Sequence, residues 1–320
     1  MREFDVITRI RQENTGLGDS VVIPPGDDLG AVRLCESGGV VLAGVDQVIA
    51  GVHLAETATP ERFAWKVAAR SLSDVAAMAA CPAGMVVAAA LSPAIETEWA
   101  TRFSSELQRI GHMFECPLIG GDIAVLPTVG DSMVFSSTVL ATPDPQVGHR
   151  LVLRSGARPG DLVCVSGEFG GSLDSDGAGH HQEFIPRIDV ARKLHRSLGS
   201  ELTSMIDVSD GLSSELSHLS RESMVRIVIH GDRVPRRHDS NLKQALCDGE
   251  DYELCFTVSS TVDLPASIAE VPLTVIGTVE QGEGVLLKAN GVEAPLAASG
   301  WEHQARPAPS GDSELEEEDG

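Results

Sequence analysis

Hydrophobic and polar residues occur in blocks along the first half of the chain, and the blocks differ in period. Short runs of valine, leucine and alanine bounded by glycine or proline are typical of buried strands, whereas longer runs with a spacing of three to four predict helices. Thr59-Pro60 has the residue types of a helix start, and Cys81-Pro82 indicates that this helix has ended. We predict strands over residues 38–46, 83–92 and 132–142, and helices over residues 60–80 and 97–115.

The rest of the chain shows the same mixture of patterns. CPLIGGD, residues 116–122, predicts a strand that runs into a glycine turn, and PDPQVGHR, residues 143–150, has the composition of a linker. Beyond the linker we predict a strand within 157–167, a glycine-rich loop after it, a helix over 186–198, a helix opened by Asp210-Gly211-Leu212, and strands over 250–258 and 272–279.

Strands and helices mixed on both sides of a linker predict an α/β (mixed α+β) fold with two domains. We place the N-terminal domain at residues 1–142, the linker at 143–150, the C-terminal domain at 151–305 and a disordered acidic tail at 306–320.

Composition narrows the class of protein. Hydrophobic residues make up 42% of the chain, yet the longest apolar runs, such as MVVAAAL at 85–91, are far shorter than the ~20 residues that span a bilayer. The six cysteines include no C-x-x-C pair, which favours reduced thiols over a zinc site or a redox motif. The N-terminal residues lack the apolar core of a signal peptide, so we expect a cytoplasmic protein.

The chain is strongly acidic, with a net charge of −23. This balance excludes a nucleic-acid partner bound through its phosphates, because such binding requires a basic surface. The tail carries part of the negative charge, but acidic residues also outnumber basic ones before it. Carboxylates therefore either cover the surface generally or gather where cations bind.

Several aspartates share one setting, a strand end or a turn beside small residues. A single aspartate there is ordinary, because its side chain bonds nearby backbone N–H groups. Asp74 differs, since it lies in an alanine-rich helix where its only local basic partner is Arg70. Together the aspartates predict a Mg²⁺ site that joins carboxylates to substrate phosphates. The candidate ligands are Asp27, Asp28, Asp46, Asp74, Asp122, Asp207 and Asp210.

Other motifs are absent or incomplete. The chain has no P-loop, no G-x-G-x-x-G that opens a helix after a strand, and no G-x-S-x-G elbow. Two segments resemble the start of an EF-hand loop, but His218 and Ile185 stand where the twelfth-position glutamate is required. Adjacent His180 and His181 favour an interpretation as loop surface residues over a metal site.

A series of blocks along the chain forms a more specific pattern, in the order EFDVI, GDDLGAV, VDQVIAGVHL, ARSLSDVAAMAACP, LIGGD, RSGARPGDLVCVSG, MIDVSDGLSSEL, GEDYELCFTV and GWEH. Over about residues 3–303 these blocks resemble those of the thiamine-monophosphate kinase family, within the aminoimidazole-ribonucleotide-synthetase-like superfamily. The most specific of them are SDVAAMAA, DVSDGL and GEDYELCF.

The resemblance implies a two-domain aminoimidazole-ribonucleotide-synthetase-like fold whose N-terminal domain pairs in a homodimer, with ATP sites in clefts near the subunit interface. It implies ATP-dependent phosphorylation of thiamine monophosphate to thiamine diphosphate, with ATP as co-substrate and several Mg²⁺ ions. An acceptor phosphate is largely dianionic at pH 7, so this reaction needs charge neutralisation more than a general base.

The resemblance also implies roles for individual residues. The Mg²⁺ ligands would be Asp28, Asp46, Asp74, Asp122, Asp207 and Asp210, with Asp27 adjacent, and Arg154 and Asp210 would act in catalysis. The nucleotide contacts would be Gly121, Asp122, Arg154 and Ser209, and the thiamine contacts would be His53, Glu250 and Trp301. Trp301 could equally be an anchor for the C-terminal core.

The chain departs from the family pattern where side-chain hydroxyl or amide groups are usual. Gly44-Val45 replaces Ser-Thr, Ile123-Ala124 replaces Thr-Thr, Ser71 replaces Asn, Asp248-Gly249 replaces Gly-Gly, and Glu215 replaces Asp. Two alternatives therefore stay open: another ATP-dependent synthetase of the superfamily, and a nucleotide-binding protein without turnover.

Overall fold

The computed structural model describes residues 3–13, 16–34, 38–130, 132–173 and 179–300. Helix α1 (Glu3–Glu13) belongs to one compact unit of the chain, and the described residues between Leu17 and Gly300 belong to a second one that contains both sheets. Trp301 and the predicted acidic tail lie outside the described residues.

The first sheet has six strands and is drawn from residues 21–142. Its strands are β1 (Val21–Ile23), β2 (Gly30–Arg33), β3 (Val40–Ile49), β4 (Cys81–Leu91), β5 (Leu118–Val125) and β6 (Val134–Thr142). They lie in the order β1-β2-β3-β6-β4-β5, and all neighbours are antiparallel except β4 and β5.

Two helices connect strands of this sheet. Helix α2 (Pro60–Ala77) begins as the sequence predicts, because Thr59 Oγ1 accepts a hydrogen bond from the Arg62 N–H at 3.4 Å and Pro60 occupies the first helical position. Helix α3 (Thr97–Met113) lies between β4 and β5 in the chain. Most side chains of α2 are buried, so this helix forms part of the core and is not a surface layer.

The strand predicted within residues 116–122 is present, but the glycine turn predicted at its end is wrong, because β5 continues through both glycines as far as Val125. Gly121 pairs with Val87 of β4, and a Cβ at position 121 would overlap the Val87 carbonyl oxygen. The glycine therefore permits a close approach of two strands, and the turn chemistry that glycine also permits is not used.

The second sheet lies within residues 162–295. Its strands are β7 (Leu162–Ser166), β8 (Leu202–Val208), β9 (Arg226–His230), β10 (Glu253–Val258), β11 (Ser267–Ile268), β12 (Val271–Glu280), β13 (Gly284–Ala289) and β14 (Val292–Pro295). The order is β14-β13-β9-β12-β7-β10-β8, with β11 paired to β12. Helices α4 (Ile188–Leu198), α5 (Leu212–Ser223) and α6 (Leu242–Cys247) accompany it.

One hydrophobic core extends from the first sheet to part of the second. It joins Phe63 of α2 and Phe135 of β6, whose ring centroids are 5.2 Å apart, to Leu194 of α4 and Phe256 of β10. A second cluster packs α5 against the other face of the second sheet. Helix α2 therefore lies against strands of one sheet and elements of the other, which brings its polar residues close to both.

Several expectations have a direct structural outcome. The predicted linker, residues 143–150, contains a 3₁₀ turn at Pro145–Val147, and the domain boundary placed there stays a prediction. The elements that the sequence does not predict are strands β1, β2, β8, β9, β11, β13 and β14 and helices α1 and α6. In the part of the chain that the structure describes, no helix has both the length and the apolarity to cross a membrane.

Candidate functional site

Three of the predicted carboxylates meet in one place. Asp28 lies in the turn before β2, Asp74 lies in α2 and Asp207 lies in β8, and one oxygen of each lies within 4.8 Å of the others. The helix contributes a second residue, because the Ser73 hydroxyl donates to Asp207 Oδ2 at 2.6 Å. We call Asp28, Asp74 and Asp207 the acidic trio.

Arg154 closes one side of the acidic trio. Its Nη2 donates to Asp28 Oδ1 at 2.7 Å, and its backbone N–H donates to Asp27 Oδ2 at 3.2 Å. Asp27 also accepts the backbone N–H of Asp28 at 3.0 Å, so its side chain orients the turn that carries Asp28. Asp28 Oδ2 is buried and has no hydrogen-bond partner among the described residues.

The trio holds more negative charge than its surroundings offset. Burial raises the pKa of Asp74 well above its usual value, and the nearby Asp46 and Asp207 carboxylates raise it further. Burial, helped by Asp28, likewise raises the pKa of Asp207 to about 7. Arg154 is a single guanidinium, so a further cation is needed to hold all three carboxylates ionised. Closely spaced oxygens with an unpartnered buried acceptor fit a hard divalent cation such as Mg²⁺.

A second carboxylate pair lies at the turn between β8 and α5. The Asp210 N–H donates to Glu215 Oε1 at 3.2 Å, and burial with the neighbouring Asp210 charge raises the pKa of Glu215 well above its usual value. Ser209 accepts the Glu250 N–H through its carbonyl oxygen at 2.6 Å. The predicted nucleotide contact at Ser209 and the predicted thiamine contact at Glu250 are therefore adjacent.

Asp46 is not a member of the acidic trio. Its Oδ1 lies 3.5 Å from Arg70 Nη2, and Arg70 Nη1 also donates to the carbonyl oxygen of Gln47 at 3.1 Å. The structure thus pairs this predicted ligand with a guanidinium that comes from the same helix as Asp74.

Asp122 is separated from Asp46 by three strand spacings of the first sheet. It lies opposite Ala88 of β4, which lies opposite Ser136 of β6, which lies opposite Gln47 of β3. Three strand spacings place it about 14 Å from Gln47 and so from the neighbouring Asp46. Asp122 is exposed on β5, an edge strand of this sheet.

A groove runs beside Gly121 and Asp122. Its volume is about 650 Å³, and its walls come from β4, β5 and α3, with Phe103 and Leu107 contributing apolar surface. An apolar cleft bounded by a glycine backbone suits a flat aromatic ring.

Glu250 lies in a buried charge cluster of its own. The Lys66 ammonium, which is fully buried, contacts Glu250 Oε2 and donates to the carbonyl oxygen of His181 at 2.7 Å. It also lies 5.1 Å from the centre of the Tyr252 ring, which stacks on Phe184 at 3.8 Å. Burial lowers the pKa of Lys66 to about 8, although Glu250 works against that shift.

His53 lies at the end of β3, where the Ile49 N–H donates to its Nδ1 at 2.9 Å. Trp301, the third predicted thiamine contact, lies outside the described residues.

The sequence alone did not identify Lys66, Ser73 and Glu215 as residues that build this region, and it did not show that Arg70 pairs with Asp46. A signal for three of them is present, because Lys66, Arg70 and Ser73-Asp74 follow one another at spacings of three to four residues in an alanine-rich helix. Polar residues at that spacing share one helix face, which indicates a common buried partner.

Comparison with known proteins agrees with the blocks seen in the sequence. The family profile described as AIR synthase related protein, N-terminal domain, matches residues 26–142. The thiamine-monophosphate kinase of Pyrococcus horikoshii is 31% identical over 319 residues, which cover 95% of this chain and 96% of that relative. The thiamine-monophosphate kinase of Escherichia coli K12 is 31% identical over 335 residues, which cover 95% of this chain and 99% of that relative.

A solved structure described as AaThiL complexed with AMPPCP and TMP matches this fold with a TM-score of 0.77 and 26% sequence identity. The match covers 95% of this chain and 97% of that one, so it includes both sheets. The fold is the two-domain α/β architecture of the AIR synthase-like proteins, and the chain belongs to the thiamine-monophosphate kinase family.

Proposed function

We propose that this chain transfers the γ-phosphoryl group of ATP to the phosphate of thiamine monophosphate and so forms thiamine diphosphate. The acidic trio is the observation that carries the proposal, because carboxylate oxygens within 4.8 Å of one another form a site for divalent cations and their bound phosphates. Family membership supplies the substrates, since a relative in that family is described as complexed with AMPPCP and TMP.

The residues of the site match the demands of phosphoryl transfer between two phosphates. Both reactants are anionic, so the chain must hold them together against their repulsion. Mg²⁺ at Asp28, Asp74 and Asp207 would neutralise phosphate charge. Arg154 is fixed at its backbone by Asp27 and at its guanidinium by Asp28, which holds its charge beside the place where the phosphates meet.

No general base is required in this scheme, because the attacking oxygen belongs to a phosphate with a second pKa of roughly 6. The chain's contribution is to position the reactants and to exclude water. Ser73 supports that role by fixing Asp207 from α2, and Glu215 supports it by fixing the Asp210 turn.

For the nucleotide we propose contacts at Gly121, Asp122 and Ser209 as well as Arg154. The apolar groove beside Gly121 and Asp122 has a volume of about 650 Å³, which is large enough to hold an adenine base. For thiamine we propose contacts at His53, Glu250 and Trp301. Thiamine carries a cationic ring, and Lys66 and Arg70 hold the pKa of Glu250 below its usual value despite burial.

We also propose that the chain acts as a homodimer through its first sheet. Strand β5 is an edge strand whose apolar side chains Ile119, Ile123 and Val125 are 59%, 65% and 68% exposed. Long exposed apolar edge strands pair readily with a second copy. The separation of Asp122 from Asp46 in one chain supports a site that Asp122 completes from the partner. A cytoplasmic location stays a prediction.

Purified protein incubated with ATP, Mg²⁺ and thiamine monophosphate should form thiamine diphosphate, detected by chromatography of its fluorescent thiochrome derivative. The Asp207→Asn variant should form far less. Binding of Mg·ATP without any product would contradict the kinase and favour a nucleotide-binding protein without turnover.

Mixing two inactive variants tests the dimer. Asp122→Asn and Asp74→Asn subunits, unfolded together and refolded, should regain about a quarter of wild-type activity, because half of the dimers would each hold one intact site. If Asp122 serves the site of its own chain, the mixture stays inactive and the shared site is wrong.

A further inference from the structure

Arg70 lies where the chain would otherwise have two carboxylates facing each other. It is one helical turn before Asp74 in α2, and its guanidinium reaches strand β3 at two points, Asp46 Oδ1 at 3.5 Å and the Gln47 carbonyl oxygen at 3.1 Å. The side chain is only 16% exposed, so this cation is held inside the protein and is not a flexible surface charge.

Asp46 lies outside the acidic trio and is paired with Arg70. Asp28, Asp74 and Asp207 have oxygens within 4.8 Å of one another, and Asp46 is not part of that group. Asp46 is nevertheless close enough for its charge to raise the pKa of Asp74. The region therefore has two kinds of carboxylate: three that share one space, and one with a guanidinium already beside it.

Asp46 supplies the only side-chain oxygen among residues 44–46, so an ion there would need Asp74 and water molecules as further ligands. Mg²⁺ and Mn²⁺ need several oxygen ligands, and the two residues before Asp46 are Gly44 and Val45, which have no side-chain oxygen. A Cβ at position 44 would lie 3.7 Å from Asp74 Oδ2 but would overlap Leu29 Cδ2, so the buried Leu29 side chain would have to move to admit a larger residue. The chain therefore offers no side-chain hydroxyl at positions 44 and 45 that could join Asp46 to the trio through a shared ion.

We propose that Arg70 is a built-in cation that takes the place of a metal ion at Asp46, so that divalent cations bind at Asp28, Asp74 and Asp207 and not at Asp46. The inference rests on the proposed function, since it concerns which cations serve the phosphate site. A guanidinium is always charged and cannot dissociate, so its contribution at Asp46 does not depend on the Mg²⁺ concentration.

The test counts bound Mn²⁺ directly and needs no catalysis. Free Mn²⁺ is measured by its electron paramagnetic resonance signal as the ion is titrated into full-length protein without nucleotide. The variants are Asp46→Asn, Arg70→Met, Arg70→Lys and the double variant Arg70→Met/Asp46→Asn. Arg62→Met is the matched control, because Arg62 is exposed on the same helix. Circular dichroism melting shows that each variant is folded.

Asp46→Asn should bind as many Mn²⁺ ions as the wild type. Arg70→Met should bind about one more ion per chain, because Asp46 is then an unpaired carboxylate beside Asp74. The double variant, Arg70→Lys and Arg62→Met should all return the wild-type number.

Two results would overturn the inference while leaving the proposed metal site intact. One is the loss of an ion in Asp46→Asn, and the other is an unchanged number in a folded Arg70→Met protein. A wild-type protein that binds no Mn²⁺ at all would overturn both the inference and the metal site of the proposed function.

Discussion

The two ends of one buried helix face show opposite solutions to the same electrostatic problem. Toward the start of α2, the cations of Lys66 and Arg70 lie against the carboxylates of Glu250 and Asp46. One turn later, Asp74 meets two further carboxylates, one of which, Asp28, is paired with the Arg154 guanidinium. The charges at the first end are paired within the chain, whereas the carboxylates at the second end need an added cation.

The difference between paired and unpaired buried charges distinguishes structural residues from a binding site in this molecule. Buried charges that are paired within the chain contribute to a defined structure, and removing one partner leaves an uncompensated charge. Buried like charges without enough counter-charge cost stability unless a ligand supplies it, which is the pattern expected of a binding site. Substitutions at the two ends should therefore have effects of different kind and, in one case, of opposite sign.

The largest effect should follow the loss of a trio carboxylate. Asp74→Asn should lower the rate of thiamine diphosphate formation by at least about 100-fold, because the cation that offsets phosphate charge loses a ligand. Steady-state assays at saturating ATP and thiamine monophosphate measure this. Asp189→Asn, an exposed carboxylate on α4, is the control and should keep wild-type activity. A variant within about threefold of the wild type would show that Asp74 is not part of the metal site.

The next largest effect should appear at the paired end. Lys66→Met removes the partner of Glu250 in a fully buried position and should lower the free energy of unfolding by about 3 kcal/mol. Denaturant unfolding checks the stability. In the folded variant, KM for thiamine monophosphate should rise more than KM for ATP, because Glu250 loses the cation that positions it. The exposed Lys193→Met variant is the control and should change neither the free energy of unfolding nor either KM. An equal rise in both KM values of Lys66→Met would show that Lys66 does not act through the thiamine site.

The comparison is sharpest in the protein without metal, where the two ends should respond in opposite directions. Asp74→Asn should raise the melting temperature, because it removes one of three mutually repelling carboxylates. Asp46→Asn should lower it, because Arg70 then lacks its carboxylate partner. Each change should correspond to about 1–2 kcal/mol. Differential scanning calorimetry in EDTA at pH 8 measures both, and shifts of the same sign would remove the distinction between the ends.

A smaller effect should come from a buried polar group outside both ends. His195 of α4 is fully buried, and neither ring nitrogen has a hydrogen-bond partner among the residues that the structure describes. Burial, with Arg150 adding to it, lowers the pKa of His195 to about 4. Between that value and about 6.5 the unfolded chain binds more protons, so stability falls as the pH falls through this window.

His195→Phe should remove about 2 kcal/mol of that acid destabilisation between pH 6.5 and 4.5. Denaturant unfolding at several pH values measures it, with His112→Phe on the exposed face of α3 as the control. An unchanged pH dependence in His195→Phe would mean that the histidine is protonated in the folded state.

The strands and helices with a clear period could be predicted from the sequence, and so could the aspartates. Asp74 stood out because a carboxylate in a buried alanine-rich helix requires a partner. Residues 118–122 were misjudged because glycine permits both turns and close strand approach, and only the pairing with Val87 decides between them. Strands β13 and β14 lie in a stretch with weak alternation, and they are defined by pairing, β13 with β9 and β14 with β13.

The pairing of the charges could not be predicted in the same way. Lys66 and Glu250 are 184 positions apart, and Ser73 and Asp207 are 134 apart. Local spacing shows that Lys66, Arg70 and Asp74 share a helix face, but it does not show which of them finds a partner. Which of these charges is paired depends on the packing of α2 against elements from the second sheet.

The central claim is that the carboxylates left without enough counter-charge hold the cations for phosphoryl transfer to thiamine monophosphate. Its most direct test is the initial rate of thiamine diphosphate formation as free Mg²⁺ is raised at a constant concentration of Mg·ATP, in wild-type and Asp74→Asn protein. We expect the wild-type rate to rise with free Mg²⁺ and then saturate, and the Asp74→Asn rate to stay low throughout. Absence of thiamine diphosphate at every Mg²⁺ concentration, or a variant curve that overlays the wild-type curve, would contradict the account.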